Sequence, residues 1–122
     1  VDVNIEELER LASYQRYSPV DPQIKWFWEV AHDLSNDDRV LLFRFVTGLD
    51  RAPVNGLERL QTLDGTELPF TISRIKYDTP DNMLPTAHTC TNCLELPEYS
   101  SKAVLQKQLL LAIQHCSGFA LH

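Results

Sequence analysis

Nowhere in the 122 residues does an apolar run approach the ~20 residues of a membrane-spanning helix, and no signal-peptide pattern opens the chain. No membrane partner is therefore expected. Basic residues are scarce, 11 Lys and Arg against 17 Asp and Glu, for a formal net charge of −6. Neither half carries a basic face dense enough to follow a phosphate backbone, which argues against nucleic acid as a partner. Internal repeats and low-complexity tracts are missing. Cysteine is limited to Cys90, Cys93 and Cys116, all in the last third. A secreted disulfide scaffold shows more of them, in even number, so the chain reads as cytoplasmic or nuclear with reduced thiols. The chain opens on Val1 rather than Met, which reads as processing or as a piece of a longer chain.

What is present suits one folded domain. Hydrophobic residues make up 43% and charged residues 23%, and a chain of this size buries roughly two-thirds of its unfolded surface. Ile5, Leu8, Leu11 and Ala12 repeat with helical spacing in an acidic stretch, followed by a polar connector from Tyr14 to Pro19. Residues 1–17 thus read as the tail of a preceding unit. Asp21-Pro22 opens a helix with its apolar stripe at Ile24, Phe27, Trp28 and Ala31, aromatics best read as core. Ser35 or Asn36 caps a second helix, with its stripe at Leu41, Leu42, Phe45 and Val46 and its end at Gly48. Pro53, Asn55-Gly56 and Asp64-Gly65 mark turns around a short helical turn at 57–61. Leu68, Phe70 and Ile72 alternate as a half-buried strand reaching Ile75, and Cys93 to Leu96 alternate as another, stopped by Pro97. Residues 77–85 are loop. A last helix follows Ser100 or Ser101, with Leu105, Leu109, Ala112, Ile113 and Cys116 on one face and Gly118 at its end. Strands mixed irregularly with helices indicate an α+β fold.

Two features carry chemistry. Cys90-x-x-Cys93 lacks the second ligand pair that structural zinc wants, since Cys116 and His32, His88, His115 and His122 form none. A redox dithiol would open a helix after a strand, whereas this pair runs into a strand. No metal or cofactor is expected, and Cys93 and Cys116 read as small core hydrophobes. The second feature is the segment Leu84-Pro85-Thr86-Ala87-His88-Thr89-Cys90, a proline-started loop that delivers a cysteine just before a strand. Exposed nucleophiles sit on such loops, and in an extended segment His88 and Cys90 point to the same side.

Residues 84–101, LPTAHTCTNCLELPEYSS, resemble the active-site segment of HECT-type ubiquitin ligases. Ile24-Lys25-Trp26-Phe27-Trp28 is similar to that family's apolar-x-Trp-Phe-Trp helix. Residues 42–56, LFRFVTGLDRAPVNG, resemble its Phe-Val-Thr-Gly segment and Pro-x-x-Gly turn, and Lys107 to Phe119 its terminal helix. The four blocks stand in family order. The resemblance implies the C-terminal lobe of the catalytic domain at residues 18–122, a small mixed or antiparallel sheet packed with several helices. Residues 1–17 would then be the end of the preceding lobe and the interlobe hinge. It implies a thioester enzyme in which Cys90 accepts ubiquitin from a charged conjugating enzyme and passes it to a lysine of a protein substrate. His88, Thr89 and Asn92 are its supporting residues, and Phe119 matches a near-terminal Phe used in lysine transfer. Leu94, Glu95, Leu96 and Pro97 match the strand beside which the ubiquitin tail is held. Thr91 and Cys93 depart from the residues common there. The lobe that docks the conjugating enzyme is absent, so the chain alone is expected to be a weak enzyme. The rival from another class is a non-catalytic ubiquitin-binding or scaffold module that retains the fold.

The chemistry makes modest demands. Exchange of one thioester for another has an equilibrium constant near unity, and the acidic residues Asp78, Asp81, Glu95 and Glu98 around Cys90 leave His88 as the nearby candidate cation. The second step needs a base for the lysine ammonium and a donor for the tetrahedral oxyanion. Thr89, Asn92 or a backbone N–H are candidates for the oxyanion. A carboxylate of the absent lobe or the terminal carboxylate at His122 are candidates for the base.

Overall fold

A computed structural model describes residues 3–53 and 56–116. Helix α1, Ile5–Leu11, is capped by Asn4, whose side-chain oxygen accepts the Glu7 N–H at 3.1 Å. Ile5 and Leu8 are buried, so the expected helical periodicity has a packed face. Where a polar connector was expected from Tyr14, the structure has strand β1, Ser13–Gln15. Three residues carry too little alternation to be read as a strand from sequence. Tyr17 is buried, and its hydroxyl donates to the carbonyls of Leu96 and Pro97 at 3.0 and 3.2 Å.

Helix α2, Pro22–Asp33, starts with Pro22 in the first turn, where its missing N–H leaves no gap. The Asp21 carboxylate accepts the Ser18 N–H at 2.8 Å instead of capping the helix. Ile24, Phe27, Trp28 and Ala31 are buried as the spacing predicts. Phe27 and Trp28 meet edge to face at 4.9 Å between ring centres, and the Trp28 indole donates to the Tyr14 hydroxyl at 3.0 Å. Helix α3, Asn36–Thr47, is capped by Ser35 and ends at Gly48 in the left-handed region, φ +78°. Its buried face is Leu42, Phe43, Val46 and Thr47, rotated from the expected stripe, with Leu41 and Phe45 only half-buried. Both stripes share Leu42 and Val46, and apolar residues run around much of this helix. At about 100° per residue, periodicity alone does not choose between them. Thr47 tolerates burial because its hydroxyl donates to the Phe43 carbonyl at 2.7 Å.

A single 3-10 turn, Leu57–Arg59, fills the expected helical turn. Asn55 of the expected Asn55-Gly56 turn lies outside the described residues. Strands β2 (Thr71–Ile75), β3 (Thr86–His88) and β4 (Cys93–Pro97) complete a four-stranded sheet in the order β1-β2-β4-β3. The β1–β2 and β2–β4 pairs are parallel and β3–β4 is antiparallel, so the sheet is mixed and the fold is α+β. The expected half-burial of β2 is not found: Thr71, Ile72 and Ser73 are all buried. A central strand is covered on both faces, and alternating polarity under-reads it. Strand β3 lies in a segment whose sequence indicates loop, because it is three residues long and starts straight after Pro85. Helix α4, Lys102–Leu111, is capped by Ser101 and runs into a π-type turn, Ala112–Cys116. Leu105, Leu109, Ala112 and Ile113 are buried as expected. The Cys116 side chain and Gly118 lie outside the described residues.

Candidate active site

The cysteine-bearing segment is an antiparallel hairpin. His88, the last residue of β3, pairs with Cys93, the first of β4, leaving Thr89 to Asn92 as a four-residue tip. The tip is a closed turn in which the Thr91 N–H donates to the His88 carbonyl at 3.1 Å. Asn92 stands at φ +53°, a left-handed conformation that Asn tolerates better than most residues. Its side chain is fully buried, and its amide nitrogen donates to the Leu68 carbonyl at 3.0 Å. Its own carbonyl accepts the Thr71 N–H at 2.9 Å. The rear of the tip is therefore fastened to the entry of β2, while Cys90 at the front is exposed.

The two cysteines of the hairpin differ in kind. Cys93 is 8% exposed, and burial, with the Glu95 carboxylate adding to it, pushes its thiol pKa up. A thiol so held is a poor nucleophile. Cys90 is solvent-accessible and has no hydrogen-bond partner among the described residues.

Beside the tip, Glu95 gathers two side chains of β3. One of its carboxylate oxygens accepts the Thr86 hydroxyl at 2.9 Å and stands 3.0 Å from His88 Nε2. This is a cross-strand cluster on the surface of the hairpin, and His88 is engaged with Glu95 rather than with Cys90. Thr89 is half-buried, and its hydroxyl has no partner among the described residues. Asn92 is committed to Leu68. Leu94 and Leu96 are wholly buried, Pro97 is buried, and only Glu95 of the 94–97 segment turns a half-buried side chain outward. β4 is an interior strand, and the open edge next to Cys90 belongs to β3. Phe119 and His122 lie outside the described residues.

The loop that leads into β3 is tied to the start of α4. Asp81 accepts the Ser100 N–H at 2.9 Å and the Ser100 hydroxyl at 2.6 Å, and these bonds hold its carboxyl below the usual carboxylate range. The buried Tyr99 donates to the Met83 carbonyl at 2.6 Å, and Gln108 donates to the Asp81 carbonyl at 2.7 Å. Both ends of the cysteine segment are thus anchored in the body of the fold. Among the described residues no group of three or more His, Cys, Asp or Glu is placed to hold a metal ion, and no helix is long and apolar enough to cross a membrane.

Comparison with known proteins decides the family. The whole chain, residues 1–122, matches the family described as HECT-domain (ubiquitin-transferase). The chain belongs to the HECT-domain family. Similar proteins include the E3 ubiquitin-protein ligase pub3 of Schizosaccharomyces pombe, 47% identical over 118 residues, which is 97% of this chain and 14% of that protein. The human E3 ubiquitin-protein ligase HACE1 is 44% identical over 121 residues, 98% of this chain and 12% of that protein. The S. pombe E3 ubiquitin-protein ligase pub1 is 42% identical over 118 residues, 97% of this chain and 15% of that protein. The chain thus spans a small part of the length of the relatives it matches.

Two contacts of this HECT chain carry no signal in the sequence. Leu68 and Thr71 anchor Asn92 through backbone atoms, which no side-chain pattern reveals. Glu95 partners His88 across the hairpin, a contact that the spacing predicts only once β3 is known to be a strand.

Proposed function

We propose that the chain is the C-terminal lobe of a HECT ubiquitin ligase, residues 18–122, and that Cys90 carries ubiquitin as a thioester. The observation that carries the reading is the contrast within one hairpin: an exposed thiol on a turn fastened from behind, next to a cysteine shielded in the sheet. Cys90 thiolate attacks the carbonyl of the thioester on a charged conjugating enzyme, and that enzyme's cysteine leaves as thiolate. A substrate lysine amine then attacks the Cys90 thioester, loses a proton, and releases Cys90. Fastening the turn holds the sulfur in place for both attacks, the proximity term that dominates such transfers.

The supporting residues divide the work. The Thr89 hydroxyl, or a backbone N–H of the turn other than that of Thr91, would serve the oxyanion, whereas Asn92 acts by shaping the turn. His88 is held by Glu95 at the edge of the site. An extended ubiquitin tail would run along the edge of β3 toward Cys90, with Glu95 reachable, while Leu94, Leu96 and Pro97 are buried and hold the strand behind that edge in place. Phe119 serves lysine transfer, and residues 1–17 lead in from the preceding lobe and its hinge. That lobe docks the conjugating enzyme. A mechanism that needs a free thiol suits the cytoplasm or nucleus. The test is intact mass of the full catalytic domain after reaction with charged conjugating enzyme: a thiol-labile ubiquitin adduct, absent from Cys90→Ala, supports the reading. A domain that binds ubiquitin without ever forming an adduct would be the scaffold module instead.

A further inference from the structure

We infer that a ubiquitin held on Cys90 is not passed to any lysine of the same lobe, so that the chain's own lysines receive ubiquitin only from a second copy. The inference rests on the reading of Cys90 given above and adds to it where the acceptor amine must come from. Lysine is scarce: Lys25, Lys76, Lys102 and Lys107 are the four in the chain, and all lie within the described residues. They gather at one end of the sheet, while Cys90 sits at the other. Cys93 opens β4 level with Thr71, the first residue of β2, and Ile75 ends β2 level with Pro97. The tip that carries Cys90 continues past the His88–Cys93 pair, at the Thr71 end.

Lys76 follows Ile75 directly, five steps along the chain from the Thr71 level, which is about 16 Å at roughly 3.3 Å per residue. Lys25 stands in the first turn of α2, two residues after Gln23, whose side-chain amide donates to the Tyr99 carbonyl at 3.0 Å. The Tyr99 N–H donates in turn to the Pro97 carbonyl at 2.9 Å, which places this corner at the Pro97 end. Lys102 opens α4 just after the same corner, and its Nζ stands 3.2 Å from Glu29. Lys107 neighbours Gln108, which donates to the Asp81 carbonyl, and Asp81 is tied to Ser100. A lysine stem and a cysteine side chain together span only about 9 Å, and attack needs the amine within roughly 3–3.5 Å of the carbonyl carbon. Strand pairing and these hydrogen bonds hold both ends in one packed body, so no swing of the lobe on a hinge closes the gap. Lys25, Lys76 and Lys107 are exposed, and the Cys90 of a second molecule meets no such limit. In that encounter the lysine ammonium gives its proton to solvent, and the nitrogen bonds to the thioester carbonyl carbon. The carbon–sulfur bond breaks, and Cys90 leaves as thiolate.

The experiment uses the full catalytic domain. Active chains are equilibrated with a Cys90→Ala copy bearing a lysine-free affinity tag, and charged conjugating enzyme is added. The copies are then separated under denaturing conditions, and ubiquitin remnants are mapped at Lys25, Lys76, Lys102 and Lys107. The expected result is equal occupancy of these lysines on the Cys90→Ala copy and on the active one, with none on Cys90→Ala incubated alone. Intramolecular reactions reach effective concentrations of roughly 10⁵ M, so a lysine within reach of its own Cys90 would put nearly all the remnants on the active chains. Remnants confined to the active chains therefore overturn the inference, and so does their absence from all four lysines on both copies. Intact mass of the active chains, taken before the mapping, keeps the two questions apart. Absence of a thiol-labile adduct there would sink the reading of Cys90, whereas an adduct followed by remnants on active chains alone would sink only the inference about the lysines.

Discussion

Asn92 is where fold and site meet, and replacing it separates two contributions. In Asn92→Gly the left-handed backbone at φ +53° is kept without strain, but the donor to the Leu68 carbonyl, in a part-buried bond, is lost. Leaving a fully buried acceptor without its partner costs about 1–3 kcal/mol, and a part-buried one lies toward the lower end. Part of that is recovered because the Asn92 Oδ1 atom, itself buried without a partner, goes as well. The net loss should be about 1 kcal/mol. In Asn92→Ala the left-handed backbone adds a further ~1 kcal/mol or more. For a chain of this length each kcal/mol lowers the melting temperature by roughly 3–5 °C. Thermal unfolding followed by circular dichroism should therefore rank the chains as wild type, then Gly, then Ala. Asn92→Asp keeps the shape but sets a carboxylate against a carbonyl, and should be no more stable than Gly. If Asn92→Asp and Asn92→Gly both melted with the wild type, the amide would not be fastening the turn and the account of the hairpin would fail.

Three other outcomes are expected. Cys93→Ser should leave ubiquitin loading of the catalytic domain within a factor of about two, since a shielded sulfur takes no part in the transfer; a loss equal to that of Cys90→Ala in the same gel assay would overturn the assignment of roles. Phe119→Ala should preserve loading while slowing isopeptide formation about tenfold or more, a difference of ~1.4 kcal/mol; single-turnover assays follow the two steps, and equal slowing of both with a lowered melting temperature would make Phe119 a packing residue. Burial raises the phenol pKa of both Tyr17 and Tyr99 well above the ordinary value. The unfolded chain therefore releases these protons first, so their contribution is complete below about pH 10 and is lost as pH rises beyond it. Urea midpoints measured from pH 8 to 11 should fall at the alkaline end, less so in Tyr17→Phe, and a flat profile would contradict the burial of these hydroxyls.

The long elements were legible because their signals are local. Asp21-Pro22 and Gly48 mark helix ends through fixed backbone preferences, and the stripe from Ile24 to Ala31 needs only one period to be recognised. The short strands were not. β1 and β3 hold three residues each and exist because β2 and β4 offer them a pairing edge, a tertiary fact. The buried face of α3 was displaced for a related reason, since apolar residues surround the helix and its neighbours decide which of them turn inward. In the site, the Pro85-started loop marks Cys90 as exposed and the family resemblance implies its role, while alternation misjudges β4, where Cys93, Leu94, Leu96 and Pro97 are all buried. The anchoring of Asn92 to Leu68 spans 24 residues and runs through a backbone carbonyl, which carries no sequence signature.

The central claim is that the Cys90 sulfur bears ubiquitin. Its most direct test is Cys90→Ser in the full catalytic domain, reacted with charged conjugating enzyme and examined by peptide mass mapping under reducing conditions. An oxygen nucleophile in the same fastened turn should trap ubiquitin as a reductant-stable ester, and the modified peptide should carry ubiquitin's terminal residues at position 90. A reductant-stable adduct at a lysine alone, or a thiol-labile adduct persisting through Cys93 or Cys116, would contradict it.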